Sequence, residues 1–107
     1  MQKIETQNSI SDKNMRSQKN VVLSAPDEKC FWVCDGRILR NLNDLAAALK
    51  SMSEPTFKYH VSKSKNDFMK WIKEVLQDNK LARSLRRVKT RMSTLEKVEA
   101  RIKALQV

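Results

Sequence analysis

The chain has 107 residues and a formal net charge of +10, with 40% hydrophobic residues, 32% charged residues, one Gly and two Pro. This length suits one small domain, and so few turn-forming residues argue against an all-β fold. No apolar run reaches the roughly 18 residues that cross a bilayer, and the N-terminus has no signal-peptide pattern, so we expect a cytoplasmic protein without a membrane partner.

Residues 1–28 are rich in Gln, Asn, Ser and Lys, and they show no apolar periodicity. Such a composition predicts a disordered polar tail. The remaining residues, 29–107, then form a single small domain. We expect a mainly α fold, in which a short N-terminal β-hairpin packs on a small bundle of four to five helices.

The segment CFWVCDGRILR, at residues 30–40, predicts the β-hairpin. Two runs rich in aromatic and β-branched residues flank an Asp-Gly pair, which favours a two-residue type I′ turn because both turn positions need a positive φ. That turn would place Val33 opposite Ile38 and Trp32 opposite Leu39. A lone hairpin is marginal in water, so this one must pack on the helices.

The two cysteines, Cys30 and Cys34, lie four residues apart in this segment. An extended strand separates such residues by about 13 Å, which is too far for a disulfide. We therefore expect both thiols to be free, as is usual in the cytosol.

Apolar residues at helical spacing follow the hairpin almost to the end of the chain. Asn41, Ser53 and either Asn66 or Asp67 are typical N-cap residues for the first three helices. The spacing predicts helices at about residues 42–52, 54–62, 67–77, 79–89 and 91–106.

The boundary between the last two helices has two interpretations. Thr90 can cap a separate fifth helix, and Ser93 with Glu96 also fits a capping box. One long helix through both segments is the alternative, because the apolar spacing continues across the boundary. We favour a break near residues 90–93.

The stretch FKYHVSKSKNDFMKWI, residues 57–72, contains the only His and the only Tyr of the chain. A catalytic interpretation uses His60 as an acid or base beside Asp67 or Tyr59, but no nucleophile at a recognisable spacing and no Gly-rich loop accompanies it. A zinc interpretation has at most three ligands, the two cysteines and His60, where a structural site needs four.

The third interpretation is a corner between two helices, and we favour it. Phe57 and Val61 face inward from one helix, and Phe68 and Trp71 face inward from the next, so the apolar spacing is complete without a function. We therefore assign no catalytic residue, no metal site and no cofactor, and we do not expect an enzyme.

Positive charge is concentrated in residues 63–107, which hold thirteen Lys or Arg against five Asp or Glu. Four of these bases recur at spacings of three and four residues, which would form one face of a helix. Lysines at positions 63, 65, 70 and 73 can extend this face. The predicted nucleic-acid-binding residues are Lys80, Arg83, Arg86, Arg87, Lys89 and Arg91.

A solvated helix face explains the same charges without a function. No helix-turn-helix, zinc-finger or RNA-recognition motif accompanies them, and no solvent-facing aromatic residues are evident from the pattern. We therefore expect a basic interaction or regulatory domain with an unknown protein partner, and sequence-nonspecific binding of DNA or RNA is the alternative. If the apolar stripe through residues 81–102 is continuous and exposed, self-association through the C-terminal helix is a further option.

Three runs carry a resemblance to a known family: F-W-V-C-D-G-R-I-L-R-N-L-N-D-L, then F-K-Y-H-V, then K-N-D-F-M-K-W-I-K-E-V-L-Q-D-N-K-L-A. Over about residues 30–106 the chain resembles an uncharacterised domain family that is found mainly in archaea. The resemblance implies a shared fold and an archaeal setting. It implies no catalytic residues.

Overall fold

A computed structural model describes residues 21–106, and this part of the chain is mainly helical. A two-stranded antiparallel sheet, with strands β1 (Phe31–Trp32) and β2 (Ile38–Leu39), precedes five helices. The fold class expected from the sequence is thereby confirmed. The helices are α1 (Leu42–Ser51), α2 (Glu54–His60), α3 (Asp67–Glu74), α4 (Asn79–Ser84) and α5 (Arg91–Leu105).

Each helix begins at a polar residue whose side chain accepts a backbone N–H three residues ahead, which satisfies one of the free donors of the first turn. Asn66, rather than Asp67, caps α3, and Thr90 caps α5. The favoured break before the last helix is therefore confirmed. The five caps are Asn41, Ser53, Asn66, Asp78 and Thr90.

The predicted hairpin register is wrong by one residue. Phe31 pairs with Leu39, and Trp32 pairs with Ile38. Residues that pair directly lie on the same face of a sheet, so this register puts Phe31 and Leu39 on the core side with Val33. In the predicted register Trp32 pairs with Leu39, which would put both on one face of the sheet. In the structure Leu39 is buried and Trp32 is exposed.

The loop of the hairpin has three residues, 34–36, rather than two. The Gly36 N–H donates to the Val33 carbonyl at 2.9 Å, and the Val33 N–H donates to the Arg37 carbonyl at 2.9 Å. Gly36 has a φ of 104°, the positive value expected for the last position of such a loop. Both loop types need a positive φ at this glycine, and for that reason the Asp-Gly pair does not distinguish them.

The predicted tail is too long, because residues 21–28 pack against the domain. The Val22 N–H donates to the Leu76 carbonyl and the Ala25 N–H to the Arg40 carbonyl, both at 2.7 Å. Ala25 is buried, and a 3₁₀ turn follows at Asp27–Lys29. The rest of the predicted tail, residues 1–20, lies outside the described residues.

Three helices end two or more residues before their predicted ends, and the largest difference concerns α4, which ends at Ser84 rather than near residue 89. After it the chain continues in tight turns, in which the Arg86 N–H donates to the Arg83 carbonyl and the Val88 N–H to the Leu85 carbonyl, both at 3.2 Å. The apolar spacing persists through these turns because Leu85 is still buried. The apolar spacing in the sequence therefore shows which residues are buried, and it does not mark where the helix ends.

The core lies between the hairpin and the helices. The most extensive helix–helix contact joins α1 and α5, and Leu45, Leu49 and Val98 are fully buried there. Trp71 is 6% exposed, and its indole N–H donates to the Lys29 carbonyl at 2.9 Å. Among residues 21–106, no helix has both the length and the apolar character that crossing a membrane requires.

Candidate polyanion-binding site

A surface cleft of about 530 Å³ lies between α3 and α4. A tight connection, with Gln77 at a φ of 58°, turns the chain from one helix to the other. Within the described part of the chain, three of the six lining residues are basic and none is acidic. The cleft is lined by Met69, Lys73, Asn79, Ala82, Arg83 and Arg86.

Helix geometry explains why the basic side chains meet in this cleft. Met69 and Lys73 are four residues apart and share one face of α3. On α4, Asn79 and Arg83 have the same spacing. Arg86 follows three residues later in the turn after the helix, held by its backbone hydrogen bond to the Arg83 carbonyl at 3.2 Å.

The positive charge of the cleft is not neutralised by its described neighbours. Lys73, Arg83 and Arg86 are exposed, and none of them forms an ion pair with an acidic residue at positions 21–106. Asp78, between the two helices, is buried and bound to the Arg101 Nε at 2.8 Å. An anion in the cleft would therefore meet positive charge that no acidic side chain of residues 21–106 pairs with.

The predicted basic helix face is not a single surface, because α4 ends at Ser84. Only Arg83 and Arg86 of the predicted set line the cleft, and Lys73 joins them from α3. Lys80 lies in a separate groove towards α5, and Arg87 is exposed in the turn.

The other two predicted residues make structural contacts. The Lys89 Nζ donates to the Ser62 carbonyl at 3.2 Å. The Arg91 Nε donates to the Glu54 Oε2 at 2.8 Å, and its Nη1 donates to the Leu49 carbonyl at 2.6 Å. Arg91 therefore joins the start of α5 to the end of α1 and the start of α2, and it is not a free charge.

A comparison with protein-family models matches residues 3–106 to DUF5752, described as a family of unknown function. The chain belongs to this family. The match begins well before residue 30, so it is longer than the resemblance seen in the sequence, and it includes most of the predicted tail. Comparison with curated proteins finds no match, and comparison with solved structures finds none either.

The only histidine of the DUF5752 domain is a structural link at the α2–α3 corner. His60 is 4% exposed. Its Nε2 accepts the Cys34 backbone N–H at 3.0 Å, and its Nδ1 lies 3.0 Å from the Asp67 Oδ2. Because a backbone N–H can only donate, Nε2 is the acceptor and Nδ1 carries the proton that bonds to Asp67. Both ring nitrogens therefore have hydrogen-bond partners, one in the hairpin loop and one at the start of α3.

Asp67 is held as a carboxylate by two donors. Burial raises the pKa of this carboxyl, but hydrogen bonds from His60 and Lys65 outweigh burial, so its pKa is lowered from the ordinary value of 3.8. The Lys65 Nζ lies 3.0 Å from the Asp67 Oδ2. This geometry supports the corner interpretation of the stretch.

The two cysteines are free thiols, as expected. The Cys30 Sγ lies 3.5 Å from the Pro26 carbonyl and 3.6 Å from the Arg40 Nη1. Within residues 21–106, no three His, Cys, Asp or Glu side chains are grouped closely enough to hold a metal ion.

Two aromatic residues are exposed that the sequence pattern did not indicate as solvent-facing. Trp32 is 69% exposed and Tyr59 is 63% exposed. Strand alternation turns Trp32 away from the core because Phe31 and Val33 face inward. Tyr59 projects to solvent between the buried Phe57 and His60 of α2. The correct hairpin register would have predicted the exposure of Trp32.

Proposed function

We propose that this DUF5752 domain is a non-enzymatic binding module that holds nucleic acid by its phosphates, without sequence preference. The observation that carries the proposal is the α3–α4 cleft, where Lys73, Arg83 and Arg86 are exposed and form no ion pair within residues 21–106. The net charge of +10 supports it, because a basic protein attracts polyanions over a long range. The same proposal includes a cytoplasmic location, which the free thiols support, and an archaeal source, which the resemblance supports.

The chemistry of the cleft fits a phosphate backbone better than a base sequence. Arginine can bind a phosphate through two parallel hydrogen bonds, and lysine acts as a point charge. Contacts of this type position a protein on nucleic acid and carry no sequence information directly. Among the described residues that line the cleft, Asn79 is the only one with an uncharged polar side chain, which leaves little for reading base edges.

Salt dependence tests the proposal first. Each phosphate contact releases counterions, so three contacts on duplex DNA predict a log–log slope of about −2.7. The association constant should then fall about 40-fold between about 50 mM and about 200 mM salt. Fluorescence anisotropy with labelled duplexes of two unrelated sequences measures both the slope and the lack of sequence preference.

Charge reversal tests whether the cleft is the site. Arg83→Glu combined with Arg86→Glu should abolish binding of both duplexes alike. Lys29→Glu combined with Lys103→Glu is the matched control, because both lysines are exposed and the change in net charge is the same. Equal loss in both double variants would show that net charge, and not the cleft, attracts the DNA. No binding by the wild type at tens of micromolar in low salt would refute the proposal.

A protein partner is the second candidate, and the outer face of the hairpin favours it. Trp32 and Ile38 pair across the strands and are 69% and 45% exposed. An exposed tryptophan is a typical centre of a protein interface. Self-association through the C-terminal helix is not proposed, because Leu95 and Val98 of α5 are buried in the core. Sedimentation of the wild type and of Trp32→Ser over a range of concentrations tests whether this face joins two copies.

A further inference from the structure

We infer that the α2–α3 corner carries a base-stacking platform, formed by Tyr59 and the lysines around it, and that single-stranded nucleic acid is the ligand. The inference deepens the proposed function and rests on it. The cleft would hold phosphates, and the corner would hold a base. Neither the family description nor any motif in the sequence assigns this role.

Tyr59 has the exposure that a stacking residue needs. Its side chain is 63% exposed, and the His60 ring touches it edge-on, at 4.9 Å between centroids and an interplanar angle of 85°. His60 is itself fixed by Asp67 and by the Cys34 backbone. The platform therefore stands on a rigid support, so that stacking a base orders few protein groups.

Positive charge surrounds this ring. The Lys65 Nζ lies over one face of the Tyr59 ring, 5.1 Å from its centroid, so a base would stack on the opposite face, and Lys58 and Lys63 are exposed within four residues of Tyr59. The acidic residue of the corner, Asp67, is bound by His60 and Lys65, so Lys65 is itself paired, and Lys58 and Lys63 are the lysines near the ring that form no ion pair within residues 21–106. An aromatic ring among lysines is the arrangement that binds single strands, with stacking for the base and charge for the backbone.

The platform and the cleft are joined by a basic path. Lys89 donates to the Ser62 carbonyl in the turn between α2 and α3, at 3.2 Å. Arg86, in the cleft, is three residues from Lys89, and three residues span at most about 10 Å. On the other side, Met69 of the cleft lies in the first turn of α3, four residues after Lys65. One strand can therefore lie with phosphates in the cleft and a base over Tyr59.

A duplex does not offer the same contact, because its bases are stacked inside the helix and only phosphates and groove edges are exposed. The other strongly exposed aromatic residue within residues 21–106, Trp32, lies on the outer face of the hairpin, opposite Phe31, whose ring packs 5.0 Å from the Phe68 ring of α3. Trp32 is thus directed away from the corner. It provides an internal control of similar exposure.

Two matched probes separate base stacking from phosphate binding. One is a labelled oligouridine, and the other is an abasic strand of equal length, which keeps the phosphates and lacks the bases. Anisotropy titrations at low salt compare the wild type with Tyr59→Ala, Tyr59→Phe and Trp32→Ala. Stacking on one aromatic residue supports an effect of about tenfold on affinity.

The expected result is that Tyr59→Ala binds oligouridine about tenfold more weakly and binds the abasic strand as the wild type does. Tyr59→Phe should retain binding because the ring remains, and Trp32→Ala should change neither probe. All three variants alter an exposed side chain, so thermal melting should show the folded state unchanged.

The titrations distinguish failure of the stacking platform from failure of the proposed function. If the wild type binds both probes and duplex DNA with steep salt dependence, and Tyr59→Ala changes nothing, the platform is refuted and the cleft proposal stands. The platform is likewise refuted if Trp32→Ala, and not Tyr59→Ala, weakens binding of oligouridine. If the wild type binds no probe, the proposed function fails, and the inference fails with it.

Discussion

Two regions of this domain crowd polar side chains together, and they use them in opposite ways. In the α2–α3 corner, His60 and Asp67 bond to each other, and His60 also holds the backbone of the hairpin loop. In the α3–α4 cleft, Lys73, Arg83 and Arg86 are exposed, without an ion-pair partner among residues 21–106. The His60 and Asp67 side chains of the corner have their partners inside the domain, whereas the charges of the cleft remain open to a ligand.

This difference shows why a gathering of unusual residue types is a weak guide to function. The stretch with the only His and Tyr of the chain looked most like a site, yet its His is a structural link. The cleft has no motif, and its residues come from two helices and the turn after the second. Variants in each region test this contrast, because a structural group should change stability and a binding group should not.

The largest expected effect on stability is at Asp78, the buried residue that caps α4 between the two helices of the cleft. Its Oδ1 accepts the Leu81 N–H at 3.0 Å as the cap of α4, and its Oδ2 accepts the Arg101 Nε at 2.8 Å. Asp78→Ala should lower the free energy of unfolding by about 4 kcal/mol, because it leaves a buried arginine without its partner and removes a cap. Urea denaturation measures this loss.

The control for this prediction is Asp78→Asn, which has one oxygen in place of two: it keeps an acceptor for the Leu81 N–H of the cap, but its NH2 group cannot accept a hydrogen bond from Arg101. It should lose less stability than Asp78→Ala, by about the 1 kcal/mol that a cap contributes. Equal stability of Asp78→Ala and the wild type would mean that the buried pair does not position α4.

The next effect concerns His60 in the corner. His60→Ala removes the acceptor for the Cys34 N–H and one of the two donors to Asp67, and it leaves a cavity. We expect a loss of about 2–3 kcal/mol in the free energy of unfolding. Chemical denaturation of His60→Ala beside its exposed neighbour Tyr59→Ala measures it. If His60→Ala were as stable as Tyr59→Ala, the structural role of the corner would be disproved.

A smaller effect is expected at the hairpin loop. Gly36 has a φ of 104°, and no described atom lies within 4 Å of the position that a Cβ would take. The cost of Gly36→Val is therefore one of backbone conformation alone, about 1–2 kcal/mol. Thermal melting of Gly36→Val, with the neighbouring exposed Asp35→Ala as the control, checks it. An unchanged melting temperature in Gly36→Val would show that the loop tolerates a β-branched residue.

The fold could be read from the sequence where local rules decide. Each helix start has a polar cap, and the apolar spacing marks the core face, so both were predictable. The hairpin register was not, because two-residue and three-residue loops both place a positive φ at Gly36. The end of α4 at Ser84 was not either, since Leu85 stays buried in the turns beyond it.

The candidate site was only half predictable, because its geometry is tertiary. Arg83 and Arg86 stood out from the charge pattern, and Lys73 was one of four lysines that could extend the face, but the pattern could not show that Lys73 is the one that meets them in the cleft. The contacts of Arg91 reach 37 residues back along the chain to Glu54, and no local pattern reveals them. The exposure of Tyr59 likewise depends on which side of a short helix the core covers.

An effect of similar size at Arg91 and a smaller one at Arg83 should separate the two arginines that the charge pattern had placed on one face. Arg91 is partly buried and bonds to the Glu54 carboxylate and the Leu49 carbonyl. Arg91→Ala should therefore lower the free energy of unfolding by about 1–2 kcal/mol, since hydrogen bonds from a charged donor are lost. Arg83 lines the cleft with no ion pair among residues 21–106, so Arg83→Ala should change stability by less than about 0.5 kcal/mol. Urea denaturation of the two variants measures this difference.

Binding of labelled DNA should respond in the opposite order, with Arg83→Ala weaker than Arg91→Ala at equal folded fraction, because Arg83 is open to a phosphate and Arg91 is held by Glu54. The reverse order of binding would place the phosphate contacts outside the cleft.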